Sequence, residues 1–201
     1  MTARTIAVVT AGLSQPSSTR LLADRLAEAT RAALVDDDVT VKVFELRDIA
    51  VDVTNNMLTG FPSPQLREVI DTVTRADGLI AVTPVFTASY SGLFKSFFDV
   101  LDKEALDGKP VLLAATGGTE RHSLALDFAL RPLFAYLRAT VVPTGVYAAS
   151  SDWGSVEATG ALQQRVERAG RELAQMVSAA PEAKPDDEYA SVSFEQLLAG
   201  H

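Results

Sequence analysis

Residues 5–11, from Thr5 through Ala11, form a short apolar run rich in β-branched side chains and predict a first strand. Ser17, Ser18 and Thr19 behind it are helix-capping types. Leu22, Leu26, Ala29 and Ala33 then recur at helical spacing. Residues 39–46 alternate with period two and predict a second strand, and 51–62 read as a polar loop containing Gly60 and Pro62. A helix is predicted from Gln65 to Arg75, entered through Pro64, and a continuous apolar strand over 78–84, stopped by Pro84. Phe94, Phe97, Phe98 and Leu101 place a helix over 91–101, and 110–118 reads as a strand that breaks into glycines. Leu126, Leu130, Leu133 and Leu137 form another helical stripe, interrupted by Pro132. The last strand falls within 139–148, weakened by Pro143. Leu162, Val166, Ala169, Leu173 and Met176 define the final amphipathic helix.

Strand and helix alternate five times in this order, which implies an α/β fold with a parallel sheet. Continuous apolar strands fit a sheet covered on both faces. A closed barrel needs about eight such units and about 250 residues, so a doubly wound sheet of flavodoxin or Rossmann type remains. Length and composition agree with one domain. The chain has 201 residues, 47% of them hydrophobic and 22% charged. Residues 1–180 form the body; 181–201 read as an acidic tail, opened by Pro181 and Pro185 and ending near an apolar cluster of Phe194, Leu197 and Leu198. That cluster is expected to dock on a neighbouring subunit or a partner.

Charge and residue usage exclude several kinds of chemistry. A net charge of −8 makes a poor binder of nucleic acid or anionic membrane. Without cysteine there is no disulfide, thiolate metal site or thiol catalysis, and the chain fits a reducing, cytoplasmic setting. Only His122 and His201 are present, so no metal site is expected. No apolar run approaches the roughly 18 residues of a membrane span. A serine-hydrolase elbow is missing, and His122 reads as a structural residue, so no catalytic side chain is expected.

In an open parallel sheet, ligands bind at the carboxyl ends of the strands. Three predicted strands end in informative loops. The first contains Ser14, Gln15, Ser17, Ser18 and Thr19, with neither the GxGxxG pattern nor the Gly-Lys-Ser/Thr of a nucleotide P-loop. Hydroxyls and free N–H groups at a helix start can cage one phosphate. The second, Pro84-Val85-Phe86-Thr87 with Ser89 beyond, can border a flat ring. The third, Thr116-Gly117-Gly118, lets backbone N–H groups approach a ring carbonyl. Together they describe a phosphate pocket beside a slot for a planar heterocycle, which fits a mononucleotide such as FMN.

At these loops the chain resembles the NADPH-dependent FMN reductases, and within them the reductase components of two-component alkanesulfonate-type monooxygenase systems. The likeness is carried by residues 11–23, 76–101 and 112–137 and spans about residues 4–178. It implies a flavodoxin-like five-stranded parallel sheet of order 2-1-3-4-5. It also implies FMN and NADPH (or NADH) as cofactors, and delivery of reduced FMN to a flavin-dependent monooxygenase. It places the FMN phosphate at Ser14, Gln15, Ser17, Ser18 and Thr19. The flavin ring falls at Pro84, Val85, Phe86, Thr87 and Ser89, and its pyrimidine end at Thr116, Gly117 and Gly118. Members often carry an arginine in the first loop; here Gln15 stands near that place, and Arg20 is the nearest cation along the chain. Some sulfonate-type members have a one-residue bulge in the fourth helix bearing Tyr or His at a subunit interface, and the matching residue here is Phe128. A homodimer or tetramer is expected, from the apolar faces of the 91–101 helix and the stretch 124–137. Azo or quinone reduction with bound FMN, and a flavodoxin-like electron carrier, are the alternative activities.

Overall fold

Strand β1 (Ala3–Thr10) lies in the middle of a mostly parallel sheet, paired with β2 (Asp38–Glu45) on one side and β3 (Gly78–Phe86) on the other. The computed structural model describes residues 2–154 and 156–180, so the tail cluster of Phe194, Leu197 and Leu198 lies outside the described residues. Beyond β3 comes β5 (Pro110–Gly117), then an edge made of two short pieces, β6 (Thr140–Val141) and β7 (Val146–Ala149), each parallel to β5. Counting that divided edge as one strand, the order is the expected 2-1-3-4-5. The division has a local cause: Thr140 and Val142 donate to β5, but Thr144, next in register, gives its N–H to Glu172 at 2.7 Å, so pairing lapses after Val142 and resumes at Val146. The short β4 (Ser89–Tyr90) folds back antiparallel on the end of β3.

Helices cover both faces. Helix α1 (Ser18–Ala33) and helix α6 (Val156–Ala179) share one face, where Leu22, Leu26, Leu162, Val166, Ala169 and Leu173 bury against Ile6, Val8, Ile80 and Val82. The other face carries α2 (Ala50–Thr59), α3 (Pro64–Arg75), α4 (Gly92–Asp99) and α5 (Arg131–Tyr136). Starts follow capping chemistry. The hydroxyls of Ser17, Ser63 and Ser91 accept from backbone N–H groups in the first turns of α1, α3 and α4.

Three local expectations change. Residues 51–62 are not a loop: a 3₁₀ turn over Leu46–Ile49 runs into α2, which ends at Gly60 in the left-handed conformation (φ 78°). The helix buries little beyond Val53 and Asn56, so its apolar period is faint in the sequence. Second, the aromatic faces of the 91–101 helix are consumed inside the chain: Phe94, Phe97 and Phe98 are all buried, so none of these rings is left for a partner. Third, Pro132 does not interrupt a regular helix. The segment Leu126–Leu130 is a π-helical turn in which the Arg131 N–H donates to the Leu126 carbonyl. Pro132 falls in the first turn of α5, where its missing N–H costs nothing. The wide turn leaves Phe128 77% exposed, with Leu124 and Tyr136 also exposed.

Candidate functional site

Register brings the strand ends to one level. Thr10 stands opposite Glu45 and Val82, Pro84 opposite Thr116, and Gly117 opposite Ala149. All three loops singled out in the sequence therefore leave the sheet on one rim. The buried hydroxyls of Thr19, at the start of α1, and Thr116, at the end of β5, are 2.8 Å apart and hydrogen-bonded, which ties the first loop to the third. A groove of ≈ 1160 Å³ lies between α1 and α6. It contains none of the strand-end loops, and its lining mixes alanines with charged side chains such as Asp24, Glu28 and Arg171.

In the first loop, Ser14, Gln15 and Ser18 are exposed, Ser17 is half-buried and Thr19 is buried. Ser17 Oγ caps α1 by accepting from Arg20 N–H at 3.2 Å, leaving the N–H groups of Ser18 and Thr19 without an intramolecular acceptor. No acid occupies the first turn of α1, so the partial positive charge of the helix start is not already neutralised there. Thr10 Oγ1, at the end of β1, is a buried polar atom with no partner. These unspent groups suit a phosphate ester.

The second loop is a two-residue hairpin. Val85 pairs with Tyr90 and Phe86 with Ser89, while Thr87 (φ 49°) and Ala88 (φ 66°) turn the chain through left-handed conformations. Pro84 is buried, Val85 and Ser89 are half-buried, and Phe86 and Thr87 are exposed. Thr83 Oγ1 accepts from Ser91 N–H at 3.0 Å and donates to the Pro84 carbonyl, anchoring the hairpin to the start of α4.

The third loop is held from beneath. Tyr147 on β7 donates its hydroxyl to the Thr119 carbonyl at 2.7 Å. Burial, with Glu120 and Asp152 nearby, raises its pKa and keeps it a donor. A Cβ on Gly117 would stand 2.1 Å from that hydroxyl, so glycine is required there to make room for the tyrosine. Gly118 faces open space, where an added Cβ would meet no protein atom. Glu120 accepts from the Ser151 hydroxyl, which lowers its carboxyl pKa. His122 is exposed at the end of the following 3₁₀ turn.

Sequence reasoning missed Tyr147 and the pair Glu45 and Arg47. Arg47 reaches from the 3₁₀ turn after β2 and donates Nη1–H to the Ser14 carbonyl at 2.9 Å. With the Gln15 amide oxygen facing it, that oxygen accepts from Arg47 Nη2 at 2.6 Å and Nη1 at 3.1 Å. The cation beside the loop thus comes from the second strand end as well as from Arg20. Reading the end of the second strand by the rule used for the other strands would have found it. No such rule finds Tyr147, whose contact with residues 117–119 is made only by the edge pairing.

A doubly wound sheet of flavodoxin-like order, with a phosphate-type loop and a ring-type slot on its carboxyl rim, defines a class of mononucleotide-binding α/β proteins. Residues 4–154 match the family model for NADPH-dependent FMN reductases, and the chain belongs to that family. It is 42% identical over 149 residues to an FMN reductase (NADPH) from Pseudomonas aeruginosa, covering 74% of this chain and 78% of that protein. It is 41% identical over 144 residues to the NADH-dependent FMN reductase SfnF of Pseudomonas putida, covering 71% and 76%. The crystal structure of an oxidoreductase from Corynebacterium diphtheriae superposes with a TM-score of 0.86 at 46% identity, over 90% of this chain and 100% of that one.

Proposed function

We propose that this chain is an NAD(P)H:FMN oxidoreductase whose flavin lies along the carboxyl rim of the sheet. The observation that carries the reading is the joining of two strand-end loops by the Thr19–Thr116 hydrogen bond, directly beside the free N–H groups of Ser18 and Thr19. Ser14, Gln15, Ser17, Ser18 and Thr19 surround the phosphate. Pro84, Val85, Phe86, Thr87 and Ser89 border the ring, and Thr116, Gly117 and Gly118 meet its pyrimidine end. Bound FMN supplies the centre that accepts hydride from the nicotinamide. The chain binds and orients: the hairpin fixed by Thr83 walls the slot, and the glycine loop fixed by Tyr147 presents backbone N–H groups where a reduced ring gathers negative charge. No side-chain base is assigned.

Steady-state oxidation of NADPH and NADH with FMN, FAD, riboflavin or a quinone tests the reading. FMN is expected to sustain turnover with at least one nicotinamide. Turnover with quinone alone would replace FMN reduction by the acceptor-reductase alternative, and flavin binding without any turnover would leave an electron carrier.

The same reading extends to assembly and partner. The chain forms a homodimer or tetramer through the exposed Leu124, Phe128 and Tyr136 beside the π-helical turn. Reduced FMN passes to a flavin-dependent monooxygenase in the cytoplasm, a delivery supported by the likeness to reductase components of sulfonate-type systems. Among the described residues no helix is long and apolar enough to cross a membrane. Sedimentation of a 21.4 kDa monomer at micromolar concentration would contradict the assembly.

A further inference from the structure

Two arginines flank the first loop, and neither is free. One carboxylate, Glu45 at the end of β2, spends both oxygens on them. Oε1 accepts from Arg20 Nη1 at 2.7 Å, and Oε2 forms an ion pair with Arg47 Nη2 at 2.8 Å. Arg20 is shared further with Asp24 at 2.8 Å, the main cause of its raised pKa. Arg47 is approached by Asp48 at 3.5 Å, but its buried Nε makes no hydrogen bond. The cluster thus sets two guanidinium groups against three carboxylates. Glu45 and Arg47 are 16% and 18% exposed, so water screens their pairing only in part.

A guanidinium is a strong partner for a phosphate, but its fork also matches a carboxylate. A flavin phosphate carrying about −1.5 to −2 at neutral pH meets arginines already matched in charge. Arg47 still orders the loop, through Ser14 and Gln15, while Glu45 cancels much of its field.

We propose that Glu45 competes with the flavin phosphate for Arg20 and Arg47, and so keeps FMN exchangeable between turnovers. This rests on the phosphate lying at the first loop. Its consequence is specific: the phosphate adds less affinity in the natural chain than in one that lacks the Glu45 charge.

The test compares FMN and riboflavin dissociation constants by flavin fluorescence in the full chain, in Glu45→Gln and in Asp48→Asn, at low and high salt. Glu45→Gln keeps the size and one acceptor but leaves the cluster one charge more positive. FMN is expected to bind about tenfold tighter and with steeper salt dependence, with riboflavin held within about twofold. The Michaelis constant for FMN should fall, and release of reduced FMN should slow. Asp48 is 64% exposed, so Asp48→Asn should tighten FMN in the same direction by less, without disturbing the loop. If FMN and riboflavin weaken together in Glu45→Gln, the carboxylate only positions the loop, and the proposal is overturned. Unchanged FMN affinity in both variants overturns it as well, while the reductase reading stands. A natural chain that binds neither flavin defeats the reductase reading and this proposal with it.

Discussion

Replacing Phe94 by alanine is expected to cost about 3–5 kcal/mol of stability, the usual range for deleting a fully buried aromatic ring. Phe94 has no exposed surface, and its ring centroid lies 4.7 Å from Phe98, 6.2 Å from Phe134 and 6.0 Å from Tyr90. Phe98 and Phe134 meet edge-on at 4.8 Å. Removing the middle ring opens a cavity that three elements share, β4, α4 and α5, and that a small relaxation of any one cannot fill. Tyr90 belongs to the hairpin proposed to wall the ring slot, so on that reading flavin affinity should fall as well. Urea unfolding followed by circular dichroism measures the first effect and flavin fluorescence the second. A loss below about 1 kcal/mol would show that the cluster repacks and is not a keystone.

Gly170→Ala is expected to destabilise by about 1–3 kcal/mol, against the sign that helix propensity alone suggests. In an exposed helix interior, glycine to alanine gains about 1 kcal/mol. Here α6 crosses α1 so closely that an added Cβ would lie 2.8 Å from the carbonyl carbon and the Cβ of Ala29 and 2.9 Å from Thr30 N. Most of these are backbone atoms of a helix interior, which cannot rotate aside as a side chain could, so the helices must separate along their contact. The two helices together cover one face of the sheet, and the strain spreads into Leu26, Val166 and Ala169. A rise in melting temperature would mean that the α1–α6 contact is slack enough to yield.

The aromatic cluster was legible as chemistry before it was legible as place. Phe94, Phe97 and Phe98 mark two sides of a helix, and from sequence that excess suggests a subunit face. Folding turns it inward, because Phe134 arrives from more than thirty positions along the chain to receive it. The exposed apolar surface is instead the stretch after residue 123, where the π-helical turn swings Phe128 outward. Helix α2 was not legible, since a helix that buries so little shows no clear period.

The sequence by itself determined the alternation of the main strands and helices other than α2, the doubly wound class and the three loops that leave the sheet on one rim. Each of these rests on local spacing: β-branched runs, leucine stripes, capping serines, and glycines or prolines at strand ends. What the tertiary structure alone decided is how distant residues divide the work at the rim. Thr19 meets Thr116 across the strand ends, Tyr147 claims the space that glycine leaves at 117, and Glu45 binds two arginines that sequence shows only as separate charges. These contacts depend on register and on which strands are neighbours. Pairing in space between residues far apart in the chain leaves no periodic trace in a single sequence.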